Sequence, residues 1–292
     1  MTALDRDWLA DHPLPLPEAD TNKNKRGRML IAGGSAQVPG ALRLTGEAAL
    51  RAGAGKLQLA TVASAAPLLG MAMPEAAVFP LAANPCAELG AGAGPEIAKL
   101  LEHCDALVLG PGMGTEADAE PVLAPILAHP RDDFALLLDA AAIPAAATMA
   151  DAVRAFSGRV VLTPHPGEMA RLMQCDDSDV TPKLAQHAAD RFDAILVLKQ
   201  AETCIAAPGE RPLHYPGGGP GLATGGSGDV LAGIIGGLLA RGASPRIAAA
   251  WGVWLHGEAG RRLAARIGPL GFLARELPAE IPSLMTAPQP AH

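Results

Sequence analysis

Short, almost wholly apolar runs alternate along this chain with segments of helix length, and that rhythm restricts the fold more than any other feature. Met29 to Ala32, Leu57 to Val62, Ala106 to Leu109, Ala135 to Leu138, Val160 to Leu162 and Ile195 to Leu198 have the pattern of strands buried on both faces. Between them, Ala41 to Ala52, Pro95 to His103, Ala117 to Ala128, Gly167 to Met173 and Pro182 to Phe192 read as helices. Strands that alternate with helices predict an α/β protein, a three-layer αβα sandwich whose mostly parallel central sheet is covered on both faces. No polar spacer interrupts the rhythm, so residues 1–292 read as one domain, with a core from about residue 22 to 270 and proline-rich termini. Thr203 to Ala207 and Pro212 to Tyr215 are expected to form a short antiparallel edge. Helices follow at Asp229 to Arg241 and Pro245 to Arg266.

In an open α/β sheet, ligands bind outside the carboxyl ends of the strands. Five predicted strands end in residues suited to that place. They are Gly33-Gly34-Ser35, the Gly110-Pro111-Gly112-Met113-Gly114 turn, Asp139, Thr163-Pro164-His165-Pro166-Gly167-Glu168, and Lys199. Each has an ordinary structural reading as well. Gly-Pro-Gly is a turn, a lone histidine is usually a satisfied side chain, and Glu168 suits the start of a helix. Their joint occurrence at ends that the topology brings together is the stronger signal.

The most pointed segment runs from Gly217 through Pro220 to Gly225-Gly226-Ser227-Gly228-Asp229 and then into an apolar helix. A glycine-rich turn at a helix start leaves backbone N–H groups free at the positive end of the helix dipole, which makes an anion site. Asp229 among such donors is a poor neighbour for a phosphate unless it takes a proton from an attacking hydroxyl. The competing reading is plain capping by Ser227 and Asp229. No lysine follows the glycines, so this is not a Walker A loop, and a phosphate here would be held mainly by backbone.

Composition narrows the partners. Aromatic residues make up 3% of the chain and the formal charge is -7, which leaves neither stacking platforms nor a basic surface for nucleic acid. The four cysteines form no close pair and read as reduced thiols. The first twenty residues lack the basic start and apolar run of a signal peptide, and no apolar run approaches the roughly 20 residues that span a bilayer. A cytoplasmic protein with no membrane partner is the expectation.

On these residues the chain resembles the ADP-dependent NAD(P)H-hydrate dehydratases, a branch of the ribokinase-like fold. The matching segments, in the family's order, are Lys25-Arg26-Gly27, Gly33-Gly34-Ser35 with Pro39-Gly40-Ala41, Ala48 to Gly55, Leu109 to Gly114, and Leu138-Asp139-Ala140. Thr163 to Glu168, Lys199 with Thr203, and Pro220 to Asp229 complete the set. The resemblance implies that Ala41, Gly110, Gly112, Gly114, His165 and Asp229 line the hydrated dinucleotide. By the same likeness Lys199, Gln200, Ala201, Glu202, Thr203, Gly225, Gly226, Ser227 and Gly228 hold the adenine nucleotide, with Asp229 as the catalytic base. It further implies ADP (or ATP) as phosphoryl donor with Mg²⁺, the S-epimer of NADHX or NADPHX as substrate, AMP as product, no dedicated protein metal site, and a homo-oligomer, a tetramer. The chain departs from the family at Ala141, where a second acid is usual, at Val38 in place of an aromatic residue, and at Gly219 in place of asparagine. Two other readings remain open at this point: a small-molecule kinase of the same fold that phosphorylates a vitamin precursor, and a nucleotide sensor without catalysis.

Overall fold

The computed structural model describes residues 1–16 and 20–285. Ten strands form one sheet: β1 (Thr2–Ala3), β2 (Arg28–Ala32), β3 (Lys56–Val62), β4 (Ala76–Leu81), β5 (Ala106–Leu109), β6 (Ala135–Leu138), β7 (Val160–Leu162), β8 (Ile195–Leu198), β9 (Thr203–Ala206) and β10 (Leu213–Tyr215). Their spatial order is β1-β10-β9-β8-β7-β6-β5-β2-β3-β4. From β4 across to β8 every neighbouring pair is parallel, so all those carboxyl ends lie on one side. Only β9 pairs antiparallel with both of its neighbours, β8 and β10, which is the edge expected from the sequence.

The helices divide cleanly. One layer holds α1 (Arg6–Asp11), α2 (Gly40–Arg51) and α3 (Ala66–Ala72). The other holds α4 (Ala93–Leu100), α5 (Glu116–Leu127), α6 (Ala142–Ala145), α7 (Ala150–Arg154), α8 (Pro166–Met173) and α9 (Pro182–Phe192). The chain then returns to the first layer with α10 (Ser227–Ala240), α11 (Pro245–Ile267) and α12 (Ile281–Leu284). Alternation along the strands feeds both cores: Met29 and Ile31 of β2 face the first layer, and Leu30 and Ala32 face the second.

The centre of the first layer is α10, in which every residue except Gly228 and Asp229 is buried. Its glycines allow that depth. A side chain on Gly233 would strike the Thr45 carbonyl of α2, and one on Gly237 the Ala49 carbonyl. One on Gly236 would strike Met29 and Val108 of the sheet. The helix is therefore wedged between α2, α11 and the strands, and its N-terminus opens toward the carboxyl ends of the parallel strands.

Two expectations need correction. The core extends beyond residues 22–270 at both ends, because β1 pairs with β10 and Leu4, Leu9, Leu277, Ile281 and Leu284 are buried in the first-layer core. The edge strand β4 was also absent from the sequence reading. It is half-exposed, and although Ala76 to Leu81 is an apolar run, Pro80 within it argues against a strand by sequence. Among the described residues, no helix is long and apolar enough to cross a membrane.

Candidate active site

Strand order reverses between β2 and β5, and the loops that leave these two strands interlock there. Gly34 N–H donates to the Pro111 carbonyl at 2.7 Å, and a side chain on Gly33 would strike that same carbonyl. A Cβ on Gly112, at φ +70°, would lie 2.9 Å from Ala41 Cβ and 3.1 Å from Gly34 Cα. Ala41 in the first turn of α2 and the Gly110–Gly114 turn thus meet at the switch point, the place where ligands enter such sheets. Gly110, at φ +123°, is fixed by packing, since a side chain there would collide with the Asp139 carbonyl. Gly114 N–H donates to Glu88 Oε2 at 3.1 Å.

The next three strand ends carry one buried polar network. Asp139, after β6, is 3% exposed. Its Oδ1 accepts from Thr163 Oγ1, after β7, at 2.6 Å and from Lys199 Nζ, after β8, at 2.9 Å. Lys199 Nζ also lies 3.8 Å from Glu168 Oε2. Burial pulls the Lys199 ammonium down, yet Asp139, Glu168 and Asp229 together hold it above its ordinary value. Ala140, directly after Asp139, sits at φ +47°, a left-handed conformation costly for a residue with a Cβ. Ala141, next in the chain, is buried in the second-layer core.

His165 and Glu168 form a reciprocal cap at the start of α8. The imidazole Nδ1 accepts from Gly167 N–H at 3.1 Å, and Glu168 Oε2 accepts from His165 N–H at 2.8 Å. Glu168 does start the helix, but it is also buried against Lys199. It therefore ties the histidine to the lysine.

Opposite these strand ends, α10 begins without a side-chain cap. Ser227, weighed above as a capping residue, turns its Oγ to His256 Nε2 on α11 at 3.0 Å instead. Its N–H closes a turn onto the Thr224 carbonyl at 3.2 Å, and among the described residues the N–H groups of Gly228 and Asp229 have no acceptor. Asp229 lies in this first turn beside Lys199. Burial, then repulsion from Asp139, raises its carboxyl from 3.8 to about 6, against the opposing pull of Lys199. Among the described residues its carboxylate has no hydrogen-bond partner. Gly226, at φ +88°, packs against Leu44 of α2, one turn from Ala41, and so links the helix start to the switch point.

A cavity of about 890 Å³ lies beside this helix start. Lys199, Gln200, Ala201, Thr203, Ser227, Gly228 and His165 contribute to its wall. Tyr215, Leu222, Val253 and His256 line it as well. Most of the expected nucleotide set is therefore gathered in one place. Glu202 is not: it is exposed and pairs with His214 Nε2 at 2.7 Å. Gly225 and Gly226 precede α10 outside the wall, while His165, assigned by resemblance to the dinucleotide side, borders this cavity. The sequence marks Asp139 as a strand-end candidate but not its partners, and it does not mark His256. A lone Asp at a strand end and a lone His in an apolar helix give no sign of partners 60 or 29 residues away.

A three-layer sheet with an uncapped glycine-rich helix start at its carboxyl edge defines a ribokinase-like α/β protein. The comparison with solved structures agrees. A ribokinase-like superfamily protein from Enterococcus faecalis superimposes with a TM-score of 0.84 at 29% identity, over 98% of this chain and 95% of that one. The ADP/ATP-dependent NAD(P)H-hydrate dehydratase from Bacillus subtilis, co-crystallised with ATP and Mg²⁺, superimposes with a TM-score of 0.81 at 27% identity, over 97% of both chains. By sequence, the ADP-dependent (S)-NAD(P)H-hydrate dehydratase of Xanthomonas campestris is 46% identical over 95% of this chain and 93% of its own length. The family model described as NAD(P)H-hydrate dehydratase matches residues 29–283. The chain belongs to the NAD(P)H-hydrate dehydratase family.

Proposed function

We propose that this protein uses ADP to dehydrate the S-epimer of hydrated NADH or NADPH and so restores the reduced dinucleotide. The observation that carries the reading is the start of α10: two backbone donors without acceptors, next to a carboxylate without a hydrogen-bond partner that is raised to about 6. Donors of that kind fit a phosphoryl group. A carboxyl titrating near 6 is largely ionised at neutral pH and basic enough to take a proton.

Hydroxide leaves a ring carbon poorly, whereas phosphate leaves well. In the reaction we propose, Asp229 takes the proton of the ring hydroxyl, whose oxygen forms a bond to the terminal phosphorus of ADP while the bond to AMP breaks. The N–H groups of Gly228 and Asp229 stabilise the charge that builds on the phosphoryl oxygens. Phosphate then departs as the ring nitrogen lone pair pushes in, and loss of the proton on the neighbouring ring carbon regenerates the dihydronicotinamide. Lys199, fixed by Asp139 and Glu168, places a cation beside the same phosphates. The hydrated ring would reach Asp229 from the switch point, past Ala41 and Gly112, and the adenine nucleotide from the large cavity.

Among the described residues, no cluster of three His, Cys, Asp or Glu is placed to hold a metal. Asp139 and Glu168 are already turned to Lys199, so these residues fit a Mg²⁺ ion carried by the nucleotide phosphates, where it would neutralise part of their charge.

Incubating the protein with hydrated NADH and ADP tests the reading. Growth of the reduced-nicotinamide absorbance with release of AMP and phosphate is the expected result. A stable phosphorylated product would make the chain a kinase, and ADP binding without turnover would make it a sensor.

A further inference from the structure

We propose that His256 is a positioning residue that aims the hydroxyl proton of Ser227 at the terminal phosphoryl group of the nucleotide. The proposal rests on the reading above that the phosphates lie at the start of α10.

Three observations carry it. The N-cap of α10 is Gly226, which has no side chain, so the first-turn N–H groups are not capped, and Ser227 follows as the first residue of the helix. The Ser227 Oγ sits 3.0 Å from His256 Nε2 on a different helix, α11. Both residues line the cavity together with Lys199 and Gly228. A hydroxyl tied across two helices and facing a cavity beside free backbone donors is placed to serve a ligand more than a helix end.

The chemistry of the ligand sets the direction of the hydrogen bonds. A phosphoryl oxygen only accepts, and a serine hydroxyl has one proton to give. When phosphate is present that proton goes to it, so His256 must donate through Nε2–H to Ser227 Oγ. Nε2–H to Oγ, then Oγ–H to phosphoryl oxygen, is a chain in which each bond polarises the next. With the other tautomer, the imidazole would accept from Ser227 and take the proton away from the phosphate. Burial holds His256 at about 4, with the Ser227 backbone opposing and Lys199 reinforcing that shift, so at neutral pH the ring is uncharged and one proton decides the orientation. Gly228 and Asp229 N–H are fixed by the helix, and Ser227 is the donor that rotates; His256 fixes the rotor.

Comparing ADP with AMP, which lacks the terminal phosphoryl group, isolates the effect. Isothermal calorimetry on the full chain should show that His256→Leu weakens ADP binding by about tenfold, the scale of one charge-assisted hydrogen bond, and leaves AMP binding unchanged. His256→Gln, which can still present an N–H there, should recover most of the ADP affinity. Ser227→Ala should weaken ADP alone, and His256→Leu added to it should cost nothing more. In turnover, Ser227→Ala is expected to lower kcat by about a hundredfold, as for one donor lost from a transition-state cradle.

Equal weakening of ADP and AMP by His256→Leu, no weakening of either, or a melting-matched His256→Gln without recovery would each overturn the proposal. Where His256→Leu fails to fold, His256→Phe against the two ligands decides by the same difference. A wild-type chain that binds ADP but never restores NADH overturns the dehydratase reading, and the ADP–AMP difference still judges His256.

Discussion

The two ends of α10 show one helix treated in opposite ways. At the C-terminus the protein satisfies itself. A side chain on Gly27 would collide with the Ala240 carbonyl, and Arg241 donates to the Ala52 carbonyl of α2 at 2.9 Å and to the Pro15 carbonyl at 2.9 Å. At the N-terminus, the N–H groups of Gly228 and Asp229 have no acceptor among the described residues, the neighbouring Ser227 hydroxyl is bonded to α11, and an acid is held above its ordinary value. Glycines stand at both ends, for different reasons. Gly27 is required by packing, whereas a Cβ on Gly225 would meet nothing within 4 Å and takes up space that is otherwise open. Bonding capacity is unmet at one end of a well-buried helix, while at the other Gly242 N–H closes onto the Leu239 carbonyl and Ala243 N–H onto the Leu238 carbonyl, and that contrast marks the end that works on a ligand.

The largest effect should come from the acid at the open end. Asp229→Asn is expected to lower kcat by about a hundredfold to ten-thousandfold while ADP still binds, and full activity in that variant would end the base assignment. The same substitution should stabilise the fold at pH 8. A carboxyl raised from 3.8 to about 6 favours the folded state while protonated and progressively disfavours it as pH rises between those values. The melting advantage of Asp229→Asn over wild type should therefore shrink toward pH 4. Wild-type kcat/KM should fall about tenfold per pH unit below about 6, as Asp229 takes up its proton.

Lys199→Met removes the cation that Asp139 and Glu168 share. Denaturant titration should show a loss of about 3 kcal/mol, because breaking a buried pair strands the remaining charge. The acid limb of the pH–rate profile should also move upward, since the one group lowering Asp229 is gone. An unmoved limb would place Lys199 outside the electrostatics of the base.

The closed end should answer in stability alone. Gly27→Ala meets both a φ of +98° and the Ala240 carbonyl, and overpacking of this kind costs about 1–3 kcal/mol. The kcat of the folded fraction should be unchanged. Gly225→Ala should give the smallest shift in melting and a raised KM for ADP. If Gly27→Ala impaired turnover of folded protein, or Gly225→Ala unfolded it, the contrast between the two ends would fail.

Much of this architecture was legible in the sequence. The bounds of β5, β6, β7 and β8 match the apolar runs because interior strands of a parallel sheet are buried on both faces and read as unbroken apolar stretches. The signal fades at the margins. β4 is half-exposed, and the two residues of β1 are too short to carry a period. In the site, the glycine loops and Asp229 announced themselves because backbone approach and a helix start leave local signatures. The engagement of Asp139 with Lys199 and Thr163, and of Ser227 with His256, did not, since each depends on a partner supplied by another element. Sequence shows which residues arrive at the carboxyl edge; only the fold shows which of them are already engaged.

The burial of α10 also bears on when this protein becomes itself during synthesis. The helix fills the space between α2 and the sheet, and Arg241, just past its last turn, bonds Ala52, just past α2, across 189 residues of chain. Until those residues have left the ribosome, the small-residue face of α2 and the inner faces of β2 and β5 have nothing to cover them. Contacts so distant in sequence are slow to close. The nascent chain must keep its strands from pairing wrongly until a late helix slides into place, and the candidate site at the tip of that helix is assembled late as well.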